Sequence, residues 1–297
     1  MELSDEFKIK AFKELREDGT RKKQALEQFR EWISKQGHIT KCRIDDDFLL
    51  RFLRVKKYSN DQAFKMLEKY LVSCESYPQW FRSLNLDDER IKEIYQSGYI
   101  FPLKDRDENG CRVILIRACK LDTKKFTFAD ILKSINFVIF TLLEEAETQI
   151  AGFVFIVDHK NITMDYVTLF SIIDLKNYLK CIQSAIPCRQ KLGLFVNLPS
   201  FAVTLTEIGK AFISVKLRER AFFYKDSKHL KDHVNLKILP EEYGGCISTE
   251  DMIEDFKTIV ERNKTKLKTS DEINIDLKCV KDGESDVVNS FRMLDID

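Results

Sequence analysis

Apolar side chains recur along the first hundred residues at helical spacing. Ala25, Leu26, Phe29, Trp32 and Ile33 fall at i, i+1, i+4, i+7 and i+8, one face of a helix. Ala63, Phe64, Leu67, Tyr70 and Leu71 repeat that spacing, and Pro78 stops the run. Between them, "FLLRFLRVKK" follows Asp45–Asp47, whose carboxylates suit a helix N-terminus. Three amphipathic helices in a small bundle are predicted. From about Ser97 the pattern changes. "RVILIRA" (112–118), "GFVFIVD" (152–158) and "KLGLFVN" (191–197) are short, nearly continuous apolar runs, as expected of strands buried on both faces. A helical stripe of Ile131, Leu132, Ile135, Val138, Ile139, Leu142 and Leu143 separates the first two, and the apolar segment Met164–Ile186 separates the next two. Strand, helix, strand, helix, strand implies right-handed crossovers and an α/β domain with a mostly parallel sheet.

This order divides the chain into a helical module (1–97), an α/β domain (98–250) and a C-terminal helix with an acidic tail (251–297). From Ser270 the tail carries eight acids against Lys278, Lys281 and Arg292, a net of −5, and is expected to be mobile or loosely docked. A length of 297 residues with 44% hydrophobic content and 22 Phe is ample for a large core. The net charge of +1 argues against a nucleic-acid binder acting through bulk charge. No run of 18 apolar residues occurs and "MELSDEFKIK" lacks a signal-peptide core, so a soluble, intracellular protein is expected. Eight cysteines without a C-x-x-C pair read as free thiols, several of them in the core, rather than as a zinc site.

Candidate chemistry falls away on inspection. Asp105, Asp107, Asn109 and Gly110 stand at the first, third, fifth and sixth places of an EF-hand loop, but the twelfth is Ile116 where a bidentate Glu is needed. An acidic Asn-Gly turn feeding a strand accounts for the same residues. His229 and His233 have the spacing of a zinc pair and no third ligand. Asp158–His159 closes a strand without a nucleophile elbow to serve. "RACKLDTKK" after the first strand contains no glycine, so the phosphate loop of a nucleotide-binding domain is missing. These features give no reason to expect an enzyme, a metal or a cofactor. Between Pro187 and Arg220, six cations face two acids, a local net of +4, which suits either a solvated helix or a site for anionic lipid headgroups. Beside it, "NLPSFAVTLTEIGKAFI" (197–213) is an apolar segment bordered by cations, equally fit for core and for a bilayer interface.

Taken in order, these segments resemble the CRAL-TRIO (Sec14-like) lipid-transfer family across nearly the whole chain. "DDFLLRFLRVKKYS" resembles its helical N-terminal module and "PLKDRDENGCRVILIR" its turn-and-strand motif. "GFVFIVD" resembles its second strand, "IPCRQKLGLFVNLPSF" the strand leading to its gate, and "LPEEYGG" its closing signature. "SFRMLDID" resembles the tail of many invertebrate members, and "ETQ-x-x-G" (Glu147–Gly152) points to the branch of the α-tocopherol transfer and cellular retinaldehyde-binding proteins.

That resemblance implies a sheet flooring an apolar pocket, closed by a mobile amphipathic lid. It also implies carriage of one small hydrophobic molecule (retinoid, tocopherol, carotenoid or similar) without chemistry on it. It places the pocket on Ile135, Ile139, Phe153, Val157, Phe170, Ile182 and Ile186, and the lid on Phe201, Val203, Leu205 and Ile208. It places phosphoinositide binding on Lys56, Arg189, Lys216 and Arg220, where forked and point-charge donors suit phosphate. The expectation is a cytoplasmic monomer that docks transiently on anionic membranes. A phospholipid exchange protein and a non-transferring lipid sensor are the alternatives.

Overall fold

The computed structural model describes residues 3–280. Helices α1 (Asp5–Leu15), α2 (Gly19–Lys35), α3 (Asp46–Val55), α4 (Asn60–Ser76), α5 (Pro78–Phe81) and α6 (Glu89–Gln96) occupy the N-terminal third, with the short strand β1 (Ile39–Lys41) between α2 and α3. The predicted bundle is there. Asp45 caps α3 by accepting from the Phe48 amide, and Pro78 both follows the end of α4 and opens α5. Arg51 and Arg54 are buried within α3. Arg51 donates to Glu144 Oε1 at 2.8 Å, and Arg54 makes a two-pronged contact with Glu17 at 2.8 Å on each arm. Both arginines pin α3 to its surroundings from inside the core.

The α/β part follows as β2 (Ile100–Pro102), β3 (Arg112–Arg117), α7 (Phe128–Leu142), α8 (Ala146–Ala151), β4 (Phe153–Asp158), α9 (Met164–Thr168), α10 (Ile172–Ser184) and β5 (Gln190–Val196). Then come α11 (Val203–Phe212), α12 (Val215–Arg218), β6 (Ala221–Phe223), α13 (Thr249–Ser270) and β7 (Asn274–Ile275). The five-stranded sheet runs β2-β3-β4-β5-β6, parallel from β3 to β6 with β2 antiparallel at one edge. Its two faces bury alternate residues of each strand. Ile114, Ile116 and Phe153 join the cluster under α7 and the N-terminal helices, whereas Val113, Leu115, Val154, Ile156 and Leu194 pack with Phe7, Ala11 and Leu15 of α1. Burial on both faces is why the strands read as unbroken apolar runs.

The "DRDENG" stretch is a turn. Asp107 Oδ1 accepts from the Asn109 and Cys111 amides at 3.0 and 2.7 Å, an Asx-type closure. Gly110 takes φ +74°, and a Cβ there would lie 2.9 Å from the Phe7 ring, so both backbone and packing require glycine. Asn109 has no positive φ; the left-handed residue is the glycine alone.

One expectation needs correcting. Residues 271–280 are not loosely attached: Ile273, Ile275 and Val280 are buried, and β7 pairs antiparallel with β1. Two isoleucines spaced for one strand face outweigh the surrounding acids. The remainder of the acidic tail, including "SFRMLDID", lies outside the described residues. Among the described residues no helix is long and apolar enough to cross a membrane.

Candidate functional site

The sheet face under α7 and α10 floors an apolar cavity of about 290 Å³. Strand register explains the space. Phe155, Gly193 and Ala221 stand side by side across β4, β5 and β6. The last two carry almost no side chain, so a hollow opens beside the Phe155 ring. One wall is the α7 stripe Ile131, Leu132, Ile135 and Ile139, and another is Leu175, Tyr178, Leu179 and Ile182 of α10. Both follow from i, i+3/i+4 spacing. A second chamber of about 180 Å³ shares His159, Tyr166, Phe170 and Phe195 with the first, and α11 covers it through Leu205 and Gly209.

Five of the seven predicted pocket residues, Ile135, Ile139, Val157, Phe170 and Ile182, line the main cavity. Phe153 and Ile186 do not. Phe153 opens β4 one period before Phe155, stacks on that ring at 6.0 Å and is sealed into the core. Ile186 belongs to the turn after α10 and points inward, 1% exposed. The predicted lid residues fall on the turn and helix Ser200–Phe212, but with different facings. Leu205 faces the second chamber and Ile208 is half-buried, while Phe201 and Val203 are exposed at 41% and 43%. No residue of α11 is fully buried. Gln183 of α10 holds the end of this helix, donating to Phe212 O and accepting from the Ser214 amide.

Lys56, Arg189, Lys216 and Arg220 come together around a second, polar cleft of about 450 Å³, joined by Lys13, Lys57 and Lys191. They arrive from the residue after α3, the residue before β5, α12 and the residue before β6. Gly152 makes the Arg189 position possible: it sits at φ +93°, and a Cβ would fall 2.3 Å from the Arg189 carbonyl oxygen. Arg189 donates to Glu14 Oε2 at 2.7 Å and Lys191 reaches the same oxygen at 2.9 Å. Partial burial works against the Glu14 charge, but Lys191, Arg189 and Lys10 outweigh it and hold the carboxyl at about 2. The Lys56 ammonium is shifted the other way: burial lowers its pKa, and the like charges of Lys69 and Lys216 lower it further. Among the described residues Lys56, Lys216 and Arg220 have no carboxylate partner. The cleft is thus a concentration of cations with one carboxylate inside it.

Cavity and cleft are not independent. Ile182, Gln190, Leu217 and Arg220 border both. Arg220 donates to Gln190 O at 2.6 Å, tying the residue before β6 to the start of β5 across this common wall.

The remaining candidates have structural partners. Asp158 accepts from Tyr243 Oη at 2.5 Å and Asn197 Nδ2 at 2.7 Å, which anchors the "LPEEYGG" segment to the strand ends. His229 stacks on Tyr224, and His233 bonds to the same residue's hydroxyl at 2.7 Å. Among the described residues no group of three His, Cys, Asp or Glu is placed to hold a metal ion. Sequence reasoning missed Tyr99, Phe155, Tyr166 and Phe195 on the cavity wall. Phe155 was legible as the alternate position between Phe153 and Val157; Tyr99 and Tyr166 come from segments too short to show a period.

A mostly parallel sheet flooring an apolar cavity, with an amphipathic helix over one chamber, is the architecture of a protein that encloses a hydrophobic molecule. Residues 96–245 match the CRAL/TRIO domain and residues 18–91 match the Pinta-like UBA domain. The chain is 31% identical over 240 residues to clavesin-1 of Xenopus laevis, covering 80% of this chain and 72% of that protein. It is 30% identical over 251 residues to human clavesin-2, covering 84% and 77%. The crystal structure of Sfh5 superposes with a TM-score of 0.54 at 13% identity, over 84% of this chain and 99% of that one. The chain belongs to the CRAL/TRIO family of lipid-binding transfer proteins. These relatives are clavesins, so the likeness shows the family at large and not the branch of the tocopherol and retinaldehyde proteins.

Proposed function

We propose that this protein carries one small hydrophobic lipid of the retinoid, tocopherol or carotenoid kind and exchanges it at membranes bearing phosphoinositides. The observation that carries this reading is the wall common to cavity and cleft, Ile182, Gln190, Leu217 and Arg220. An anionic headgroup drawn to Lys56, Arg189, Lys216 and Arg220 pulls on residues that also close the cavity. It favours the open state in proportion to its preference for that state. Exposed Phe201 and Val203 give the lid an apolar contact with the bilayer as it opens. The cargo is held by apolar burial, at roughly 25 cal/mol per Å². A cavity of about 290 Å³ is at the small end of ligand sites, which suits one isoprenoid-sized molecule better than a diacyl phospholipid. The carrier works as a cytoplasmic monomer and meets membranes transiently.

Transfer of a fluorescent retinoid to vesicles with and without phosphoinositide tests the docking. The wild type is expected to accelerate several-fold with phosphoinositide and the Lys216→Ala/Arg220→Ala variant not to respond. Equal acceleration of both overturns the docking site. Mass spectrometry of lipid extracted from the purified protein tests the cargo, and a stoichiometric intact phosphoinositide as the enclosed ligand sinks the assignment.

A further inference from the structure

The cavity wall is apolar except for Tyr99, His159, Tyr166, Tyr178, Gln190 and Arg220; Gln190 also borders the polar cleft, and Tyr178, His159 and Arg220 are hydrogen-bonded. Tyr178 Oη donates to Asn136 Oδ1 at 2.8 Å, and Asn136 in turn donates to Trp80 O. His159 Nδ1 lies 3.3 Å from Val196 O, which accepts only, so this nitrogen carries the proton. Burial lowers the His159 pKa, which keeps the ring neutral. Arg220 is turned to Gln190 O at the common wall.

Tyr99 and Tyr166 differ. Their hydroxyls face each other at 3.0 Å, with the residues 1% and 5% exposed. Burial raises both phenols, Tyr166 to about 12 and Tyr99 well above its ordinary value, so each keeps its proton. Two O–H groups share one hydrogen bond, and one proton is left over. Among the described residues no acceptor takes it. A buried donor without a partner is costly, and an oxygen brought in by the ligand would satisfy it.

The position of the pair gives the ligand a direction. Tyr99 immediately precedes β2, and its carbonyl accepts from the Arg117 amide at the C-terminal end of β3. Tyr166 lies on α9, which follows the C-terminal end of β4. Arg220 is at the opposite corner of the floor, where its carbonyl accepts from Gly193 beside the edge strand β6. Resting on the carrier reading above, we propose that Tyr99 and Tyr166 form the polar-end subsite of the cavity. They select an apolar ligand ending in one uncharged oxygen, an alcohol or a carbonyl, and seat that end at the β2 side with the hydrocarbon end toward Leu217. A carboxylate end finds no cation beside the pair, because the cavity's one arginine, among the described residues, is at the far corner.

The test compares binding of all-trans-retinol with axerophthene, the same skeleton without oxygen, by fluorescence titration. The wild type is expected to prefer retinol about tenfold, the worth of one neutral hydrogen bond. Tyr99→Phe and Tyr166→Phe each leave one free hydroxyl and should keep the preference. The double variant should lose it while holding axerophthene as tightly as the wild type, which a merely structural role for the pair does not produce. Equal preference in the wild type and the double variant overturns the subsite alone. Failure of the wild type to take up either molecule defeats the carrier reading and the subsite with it.

Discussion

Glu144 is 9% exposed as a residue and carries the charges of two buried arginines, receiving Arg43 at 2.7 Å and Arg51 at 2.8 Å. Burial by itself would raise its pKa; Arg51 and Arg43 outweigh burial and hold the carboxyl at about 2. Replacing it by glutamine leaves buried Arg51 facing a neutral partner, while Arg43 keeps the Asp45 carboxylate at 2.9 Å. Glu144→Gln is therefore expected to lose about 3–5 kcal/mol of stability in urea denaturation. Because the folded pKa lies below the unfolded value of about 4.3, this stabilisation is full above that value and drains away as pH falls toward 2. Urea midpoints should be level near neutrality and drop between pH 4.5 and pH 2. Glu14 shows the same depression for a different purpose. It occupies the cation cleft as an internal carboxylate, and Glu14→Gln should release Arg189 and Lys191 to external phosphate. Co-sedimentation with phosphoinositide vesicles should then strengthen several-fold; unchanged binding would show that Glu14 does not compete.

At the scale of elements, legibility followed length and period. α2, α4 and α7 are readable because each repeats its spacing several times, and β3, β4 and β5 because each carries a nearly continuous apolar run within six or seven residues. β1, β2, β6 and β7 have two or three residues each, too few to show alternation, and they exist through the strands they pair with, Ile39 of β1 with Ile275 of β7 being the most distant in sequence. That is why the sequence alone does not set Ile273 and Ile275 apart from the acids around them. The site divided in the same way: the α7 and α10 walls were legible, while Tyr99 and Tyr166 are brought together across 67 residues by topology alone. "ETQ-x-x-G" was visible only as a likeness. In the structure Gln149 accepts from the third nitrogen of Arg54 at 2.7 Å, and Gly152 makes room for Arg189. Helix α11 illustrates what an element owes to one contact. α11 has no fully buried residue, and Gln183 bonds both strands of chain at its C-terminal end. Gln183→Ala should speed cargo exit several-fold in a stopped-flow transfer assay and move the unfolding midpoint little. An unaltered exit rate would show that the Gln183 contacts do not hold α11 over the cavity.

For the whole molecule, one apolar cluster runs from Ala25 to Val280, joining the N-terminal helices, α7, the sheet and the C-terminal helix. Trp32 and Trp80 both lie in the N-terminal third, so their fluorescence reports that part, whereas far-ultraviolet dichroism reports all the helices. A shared core predicts coincident denaturation curves by the two probes. A separate early fluorescence transition would instead mark the first 97 residues as an independent unit. The wall of Ile182, Gln190, Leu217 and Arg220 has one more consequence, which concerns traffic. Coupling free energy is reciprocal: if the anion loosens the cargo by some factor, the cargo must loosen the anion by that same factor. Under the proposed docking, a filled carrier would let go of the membrane and an emptied one would linger there, so the residues that open the cavity would also set when the carrier departs.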